Sequence, residues 1–214
     1  MKRHRLTVML DFDGVLLMPA YDNHTETQAL RAGTPPKIDD ALPWIKTAPA
    51  DTEHVTLTGL ADRPVWGVIR RDSIEGLRAF AGDENVDLIW ASSWLTRPDR
   101  LREAAEQLGL DFIQFPHLDG IVPFNQPLMS LRDHWKTALS MRYVDRGDRV
   151  LWIDDQIEAR ASQEYLPTLS ILAPSVYHGI NPAHIQLLPQ WAAGRDLAVF
   201  DNEIRGGWNR TTAA

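Results

Sequence analysis

Thr7-Val-Met-Leu-Asp-Phe-Asp-Gly-Val-Leu16 drives an apolar run into two carboxylates one residue apart and then into a glycine. Side chains alternate along an extended segment, so Asp11 and Asp13 are expected on one face at the carboxyl end of a strand, with Phe12 turned the other way. In open α/β sheets that edge is where ligands bind. An ionised Asp11 is placed there to attack phosphorus, and Asp13 to protonate a leaving group and later deprotonate water. Gly14 lets the backbone turn tightly and pass close to a ligand. A strand that ends in an Asp-rich turn is the competing reading of these four residues.

Two further runs have the same form. Val86-Asp-Leu-Ile-Trp-Ala-Ser-Ser-Trp94 ends in hydroxyls, and Arg97 to Gly109 then reads as a helix with a glycine stop. A hydroxyl beside free backbone N–H groups suits a phosphate. Arg149-Val-Leu-Trp-Ile-Asp-Asp155 ends in adjacent acids. Acids at two strand ends suit magnesium, a hard cation that prefers oxygen ligands.

Strands are expected near 6–12, 86–92, 111–115, 149–154 and 168–173, with helices near 98–108, 129–142, 157–165 and 182–193. This alternation predicts an α/β fold, a Rossmann-like three-layer sandwich with a parallel sheet and helices on both faces. Residues 15–71 do not fit it and are expected to form a cap or flap insertion at the active-site edge. Within them Val55-Thr-Leu-Thr-Gly-Leu60 and Val65-Trp-Gly-Val-Ile69 flank Ala61-Asp-Arg-Pro64 as a hairpin. The earlier part, with Pro35, Pro36, Pro43 and Pro49, reads as an irregular small cap. Trp44 sits on its inner face or, as is commoner for tryptophan, in a core contact. The core is thus assigned to 1–14 and 72–200 and a C-terminal tail to 201–214, the looseness beginning near 195. A chain of 214 residues can bury one good core.

Composition removes several function classes. The formal charge of −7 provides no global field for polynucleotide. Local basic groups remain at Arg63, Arg70 and Arg71 and at Arg97, Arg100 and Arg102, where a solvated surface is the plainer reading. The chain has no cysteine, so it has no disulfide, thiolate metal site or cysteine nucleophile. Its seven histidines show no ligand spacing that suits zinc. The basic start precedes too short an apolar run for a signal peptide, and no segment is long enough to span a membrane. The default expectations are a cytoplasmic location and no obligate protein partner.

Taken in order, Asp11-Phe-Asp-Gly14, Ser92, Lys136 and Asp154-Asp155 resemble the four motifs of the haloacid dehalogenase (HAD) superfamily of phosphohydrolases. Trp90-Ala-Ser-Ser-Trp94, Trp152-Ile-Asp-Asp-Gln156 and His178-Gly-Ile-Asn-Pro-Ala-His184 resemble, more narrowly, the phosphatase-like domains of RNA-repair proteins. With the five expected strands numbered 1 to 5 in chain order, the resemblance implies the sheet order 5-4-1-2-3. It implies Asp11 as the nucleophile forming an aspartyl-phosphate and Asp13 as general acid, then base. Ser92 would hydrogen-bond the transferring phosphoryl group and Lys136 would neutralise its charge. Asp154 would ligate Mg2+ with Asp11 and the backbone carbonyl of Asp13, and Asp155 would act through water or as a second ligand. Gly14, Ser93 and Arg97 are the remaining candidates for contact with phosphate or substrate.

Each of these residues has a plainer role. Ser92 can be an N-cap, and Ser93 offers the same chemistry. Asp154 and Asp155 can open a solvated turn. Lys136 lies in a helical pattern with Leu128, Leu131, Trp135 and Leu139 on the apolar side, where a solvated lysine is ordinary. Its companions are Lys2, Lys37 and Lys46 alone in a chain that otherwise uses arginine, which favours a specific role. The expected function is an Mg2+-dependent phosphatase acting on a nucleotide or nucleic-acid end. A phosphatase of small metabolites and a non-catalytic binding module are the alternatives.

Overall fold

A computed structural model describes residues 5–47, 51–124, 134–157 and 169–201. In chain order its main elements are β1 (Leu6–Leu10), β2 (Met18–Pro19), α1 (Asn23–Ala32), β3 (Thr52–Leu57), β4 (Val65–Arg70), α2 (Arg71–Ala81) and β5 (Val86–Trp90). They continue with α3 (Pro98–Leu108), α4 (Trp135–Asp145), β6 (Arg149–Ile153), β7 (Ser170–Ala173), α5 (Pro182–Ala192) and β8 (Ala198–Phe200). β5, β1, β6, β7 and β8 form one parallel sheet in that order. Leu10, Trp90 and Ile153 share a rung, so the chain segments that follow them leave the sheet side by side. The ladder runs one step further, with Asp11 N–H donating to Ile153 O at 3.0 Å and Ala91 N–H to Leu10 O at 2.7 Å.

Burial explains why the inner strands carry continuous apolar runs. Met9, Leu10, Trp90, Leu151, Trp152 and Ile153 are buried on a sheet covered on both faces, and Phe12 meets Trp90 edge-on at 5.8 Å between ring centroids. Gly76 allows α2 to approach α5 closely, since a Cβ there would lie 2.6 Å from Ile185 Cγ2. Asn181 and His184 cap α5 reciprocally.

Several expectations need correction. Residues 111–115 do not form a strand. Gln114 alone pairs with β5, accepting from Trp90 N–H at 2.9 Å and donating to Leu88 O at 2.8 Å. Pro116 then removes a backbone donor from the segment. The sheet instead grows at its opposite edge, where Ala198–Phe200, read as loose tail, pairs with β7. The order 5-4-1-2-3 is replaced accordingly. β1 also stops at Leu10 rather than residue 12, so Asp11 and Asp13 belong to the turn beyond the strand. Helix α4 begins at Trp135 because the His134 ring caps it, Nδ1 accepting Lys136 N–H at 3.2 Å. The expected start of that helix near 129, the helix at 157–165 beyond Ile157, and residues 202–214 lie outside the described residues.

The segment after β1 is more regular than its prolines suggest. β2, β4 and β3 form an antiparallel sheet, and α1 runs from its Asp22 cap, which accepts Thr25 N–H at 2.7 Å, to the left-handed Gly33. Met18, Ala20, Tyr21, Ala29, Ala41, Ile45, Trp66 and Val68 make a small core of their own. Among the described residues no helix is long and apolar enough to cross a membrane.

Candidate active site

The turn leaving β1 carries the first two acids. Asp11 is buried, its Oδ1 accepting the Phe12 N–H at 2.7 Å. Lys136, from the first turn of α4, donates through Nζ to Asp11 Oδ2 and to Asp154 Oδ2, both at 2.6 Å. Asp154 follows β6 and is fixed further by Gln156 N–H at 2.9 Å and the Trp152 indole at 3.3 Å. This solvent-excluded triad is far from the solvated lysine of the plainer reading: Lys136 and Asp154 are 5% and 0% exposed.

Asp155 completes the group. Asp11, Asp154 and Asp155 each offer a carboxylate oxygen within 4.8 Å of the others, and all three side chains are buried. Three carboxylates face one ammonium, an excess of two negative charges in a low-dielectric site when all three are ionised. Hard oxygen donors and an excess of that size fit a divalent cation such as Mg2+. Burial pushes the Asp11 carboxyl up to about 7, Lys136 opposing the rise and Asp154 and Asp13 adding to it. The two carboxylates hold the Lys136 ammonium above the usual lysine range, against the cost of its burial.

Gly14 fits this cluster for a steric reason. Its φ is +73°, and a Cβ would lie 2.5 Å from Asp155 Cγ. Gly14→Ala is expected to cost about 2 kcal/mol of stability through the left-handed backbone alone. It should also displace Asp155, so that, if the cluster holds Mg2+ through Asp155, the variant gains less stability from the added ion than the parent. Thermal melts with and without Mg2+ check both effects, and an unchanged Mg2+ response would show that Asp155 takes no part in holding the ion.

Asp13 stands apart from the cluster with a solvent-accessible side chain. Trp94 donates its indole N–H to Asp13 Oδ2 at 2.8 Å. The protein packed around Asp13 still holds its carboxyl above the usual carboxylate range, while the Trp94 hydrogen bond and the Lys136 charge favour the anion. Ser92 is fully buried and caps the short turn Ser93–Thr96, its Oγ accepting Trp94 N–H at 3.4 Å. Its plainer role as a cap is therefore real. Ser93 is half-buried in that turn. Arg97 turns to the β3–β4 hairpin, where Asp62 pairs with it at 3.5 Å and with Arg100 at 2.8 Å. Trp44 packs edge-on to His178 at 6.0 Å, which joins the segment between α1 and β3 to the loop after β7.

The four motif positions therefore converge from four separate elements on one sheet edge. The model of the family described as HAD domain in Swiss Army Knife RNA repair proteins matches residues 7–185, most of the chain. The chain belongs to this family. No curated protein and no solved structure matches it. HAD membership supports phosphatase chemistry of that type and explains why a parallel sheet carries acids at the ends of β1 and β6. Trp94 is the site residue that the sequence reading left without a role. Its signal was the Trp-Ala-Ser-Ser-Trp run, whose second tryptophan lies beyond the strand; its ring packs against the core from there while its N–H reaches Asp13.

Proposed function

We propose that this HAD domain is an Mg2+-dependent phosphomonoesterase that works through an aspartyl-phosphate on Asp11 and acts on a nucleotide or a nucleic-acid end. The observation that carries the reading is the buried Lys136 bridge between Asp11 and Asp154, with Asp13 two residues from Asp11 at the solvent side. Asp11, Asp154 and Asp155 would hold the cation, with the backbone carbonyl of Asp13 as a further oxygen. When bound, the ion would keep Asp11 anionic and offset phosphoryl charge.

The chain's own residues then divide the work. Asp11 attacks phosphorus while Asp13 delivers a proton to the departing oxygen, and Asp13 afterwards takes a proton from the attacking water. Lys136 holds Asp11 in place and stabilises charge on the transferring group, and the Ser92 hydroxyl and the Ser93 backbone N–H would donate to the same group. Positioning and electrostatics are the main sources of rate in such a transfer. The RNA-repair membership supports the nucleic-acid side of the substrate reading. On this reading residues 15–71 serve as the flap over the site, and the rest of residues 1–200 as the catalytic core.

Phosphate release with Mg2+, compared with chelator, should be followed on 3′-phosphorylated and 5′-phosphorylated oligonucleotides, nucleoside monophosphates and 4-nitrophenyl phosphate. The expected result is Mg2+-dependent release, with an oligonucleotide end preferred. Preference for a free nucleoside monophosphate would shift the reading to a nucleotidase, and silence on every ester would leave the binding-module alternative.

A further inference from the structure

We propose that Trp94 is a positioning residue that dictates which oxygen of Asp13 handles the proton, a role that rests on the phosphatase reading. An indole N–H is a donor only. Placed 2.8 Å from Asp13 Oδ2, it makes that oxygen an acceptor whether the carboxyl is ionised or not. The proton of the neutral acid therefore sits on Oδ1. That oxygen is left to face the substrate.

The support behind Trp94 is built for the purpose. Its backbone N–H is bound to the buried Ser92 hydroxyl, and its carbonyl accepts Arg97 N–H at 2.8 Å. Arg97 and Arg100 are in turn paired with Asp62 at the tip of the flap hairpin. Asp13 itself lies in the turn beyond β1, where its backbone bridges to Leu17 and the Trp94 indole anchors one oxygen of its carboxylate. An unfixed general acid spends only part of its time aimed at the leaving oxygen.

In the first step a bond forms between an Asp11 carboxylate oxygen and phosphorus, the ester P–O bond breaks, and the Oδ1 proton moves to the departing oxygen. In the second, a water oxygen bonds to phosphorus, the Asp11–phosphorus bond breaks, and a water proton returns to Oδ1. Only the first step depends on the leaving group. A sugar alkoxide is strongly basic and needs the proton, whereas 4-nitrophenolate leaves readily without it.

Trp94→Phe keeps an aromatic ring, smaller than indole, against the core and removes the donor. It is expected to lower kcat/KM on a nucleoside monophosphate by roughly 10-fold to 100-fold and on 4-nitrophenyl phosphate by less than about 3-fold. Because kcat/KM reports only steps through transfer to Asp11, slow hydrolysis of the intermediate does not hide the contrast. Equal losses on both esters, or no loss on either, would overturn the proposal.

A second readout does not need turnover. The Trp94 indole N–H resonance, identified by its disappearance in Trp94→Phe, should move upfield in Asp13→Ala. A resonance that stays in place overturns the proposal alone. A wild-type chain that turns over neither of these esters nor a 3′- or 5′-phosphorylated oligonucleotide overturns the phosphatase reading and this role with it. Where only the oligonucleotide is turned over, its end takes the place of the nucleoside monophosphate, beside an oligonucleotide end bearing a 4-nitrophenyl phosphate ester.

Discussion

Asp11→Asn is expected to reduce phosphate release by roughly 10⁴-fold or more, because an amide cannot form the aspartyl-phosphate. The same change should leave the chain folded and, without divalent cation, more stable than the parent at neutral pH and above. In the unfolded chain Asp11 titrates near 3.8, and the fold moves it to about 7. The folded state therefore binds more protons between those values, so with chelator present the parent loses stability as pH rises from about 4 to about 7. The substituted amide has no charge to bury, and its oxygen can still accept the Phe12 N–H. The gain at pH 8 in chelator should be on the order of 2 kcal/mol, and it should vanish near pH 4. Added Mg2+ should stabilise the parent more than the variant, since the variant has lost a charged ligand. Urea melts at the two pH values, with and without Mg2+, test all of this. A variant less stable than the parent at pH 8 in chelator would mean that the Lys136 contact outweighs the carboxylate crowding.

This trade between charge and stability was legible in the sequence only in part. The apolar runs ending at Asp11, Ser92 and Asp154 announce strands because a parallel strand buried on both faces has no polar side to alternate, and the acids announce the edge where burial ends. What lies in local pattern came through: β1, β5, β6, β7, the hairpin and helices α3 and α5. α1 was missed although Asp22 and Gly33 mark both of its ends, because only Ala29 among its residues is buried and no apolar stripe stands out. β8 was missed for another reason. Three residues carry too little pattern, and their strand exists only because β7 provides an edge.

Side-chain partnerships were the least legible. Lys136 is 125 residues from Asp11 and Trp94 is 81 from Asp13, so no local spacing encodes either contact. The resemblance to HAD motifs supplied the first, and nothing in the sequence reading supplied the second. Arg97, a candidate for contact with phosphate or substrate, also pairs with Asp62 between β3 and β4, a contact that no local spacing encodes.

Lys136→Met is expected to have the opposite effect on stability from Asp11→Asn, although the two side chains form one ion pair. Methionine keeps much of the apolar stem and removes the charge. Asp11 and Asp154, both buried, then face each other with no cation between them, and Asp155 lies within 4.8 Å. Removing one member of a buried pair costs about 3–5 kcal/mol, because the uncompensated charge stays behind. Part of that loss should return with Mg2+, which supplies positive charge to the same oxygens, so the variant should respond to the ion more strongly than the parent does. Activity should fall about 10³-fold even at saturating Mg2+, since stability regained from the ion does not replace a donor aimed at the transferring phosphoryl group. Denaturant midpoints across an Mg2+ titration, measured beside phosphate release, separate the two roles. Full recovery of both stability and turnover would reduce Lys136 to a structural counter-ion. Recovery of stability alone is the expected outcome, and it would assign the ammonium to the reaction itself.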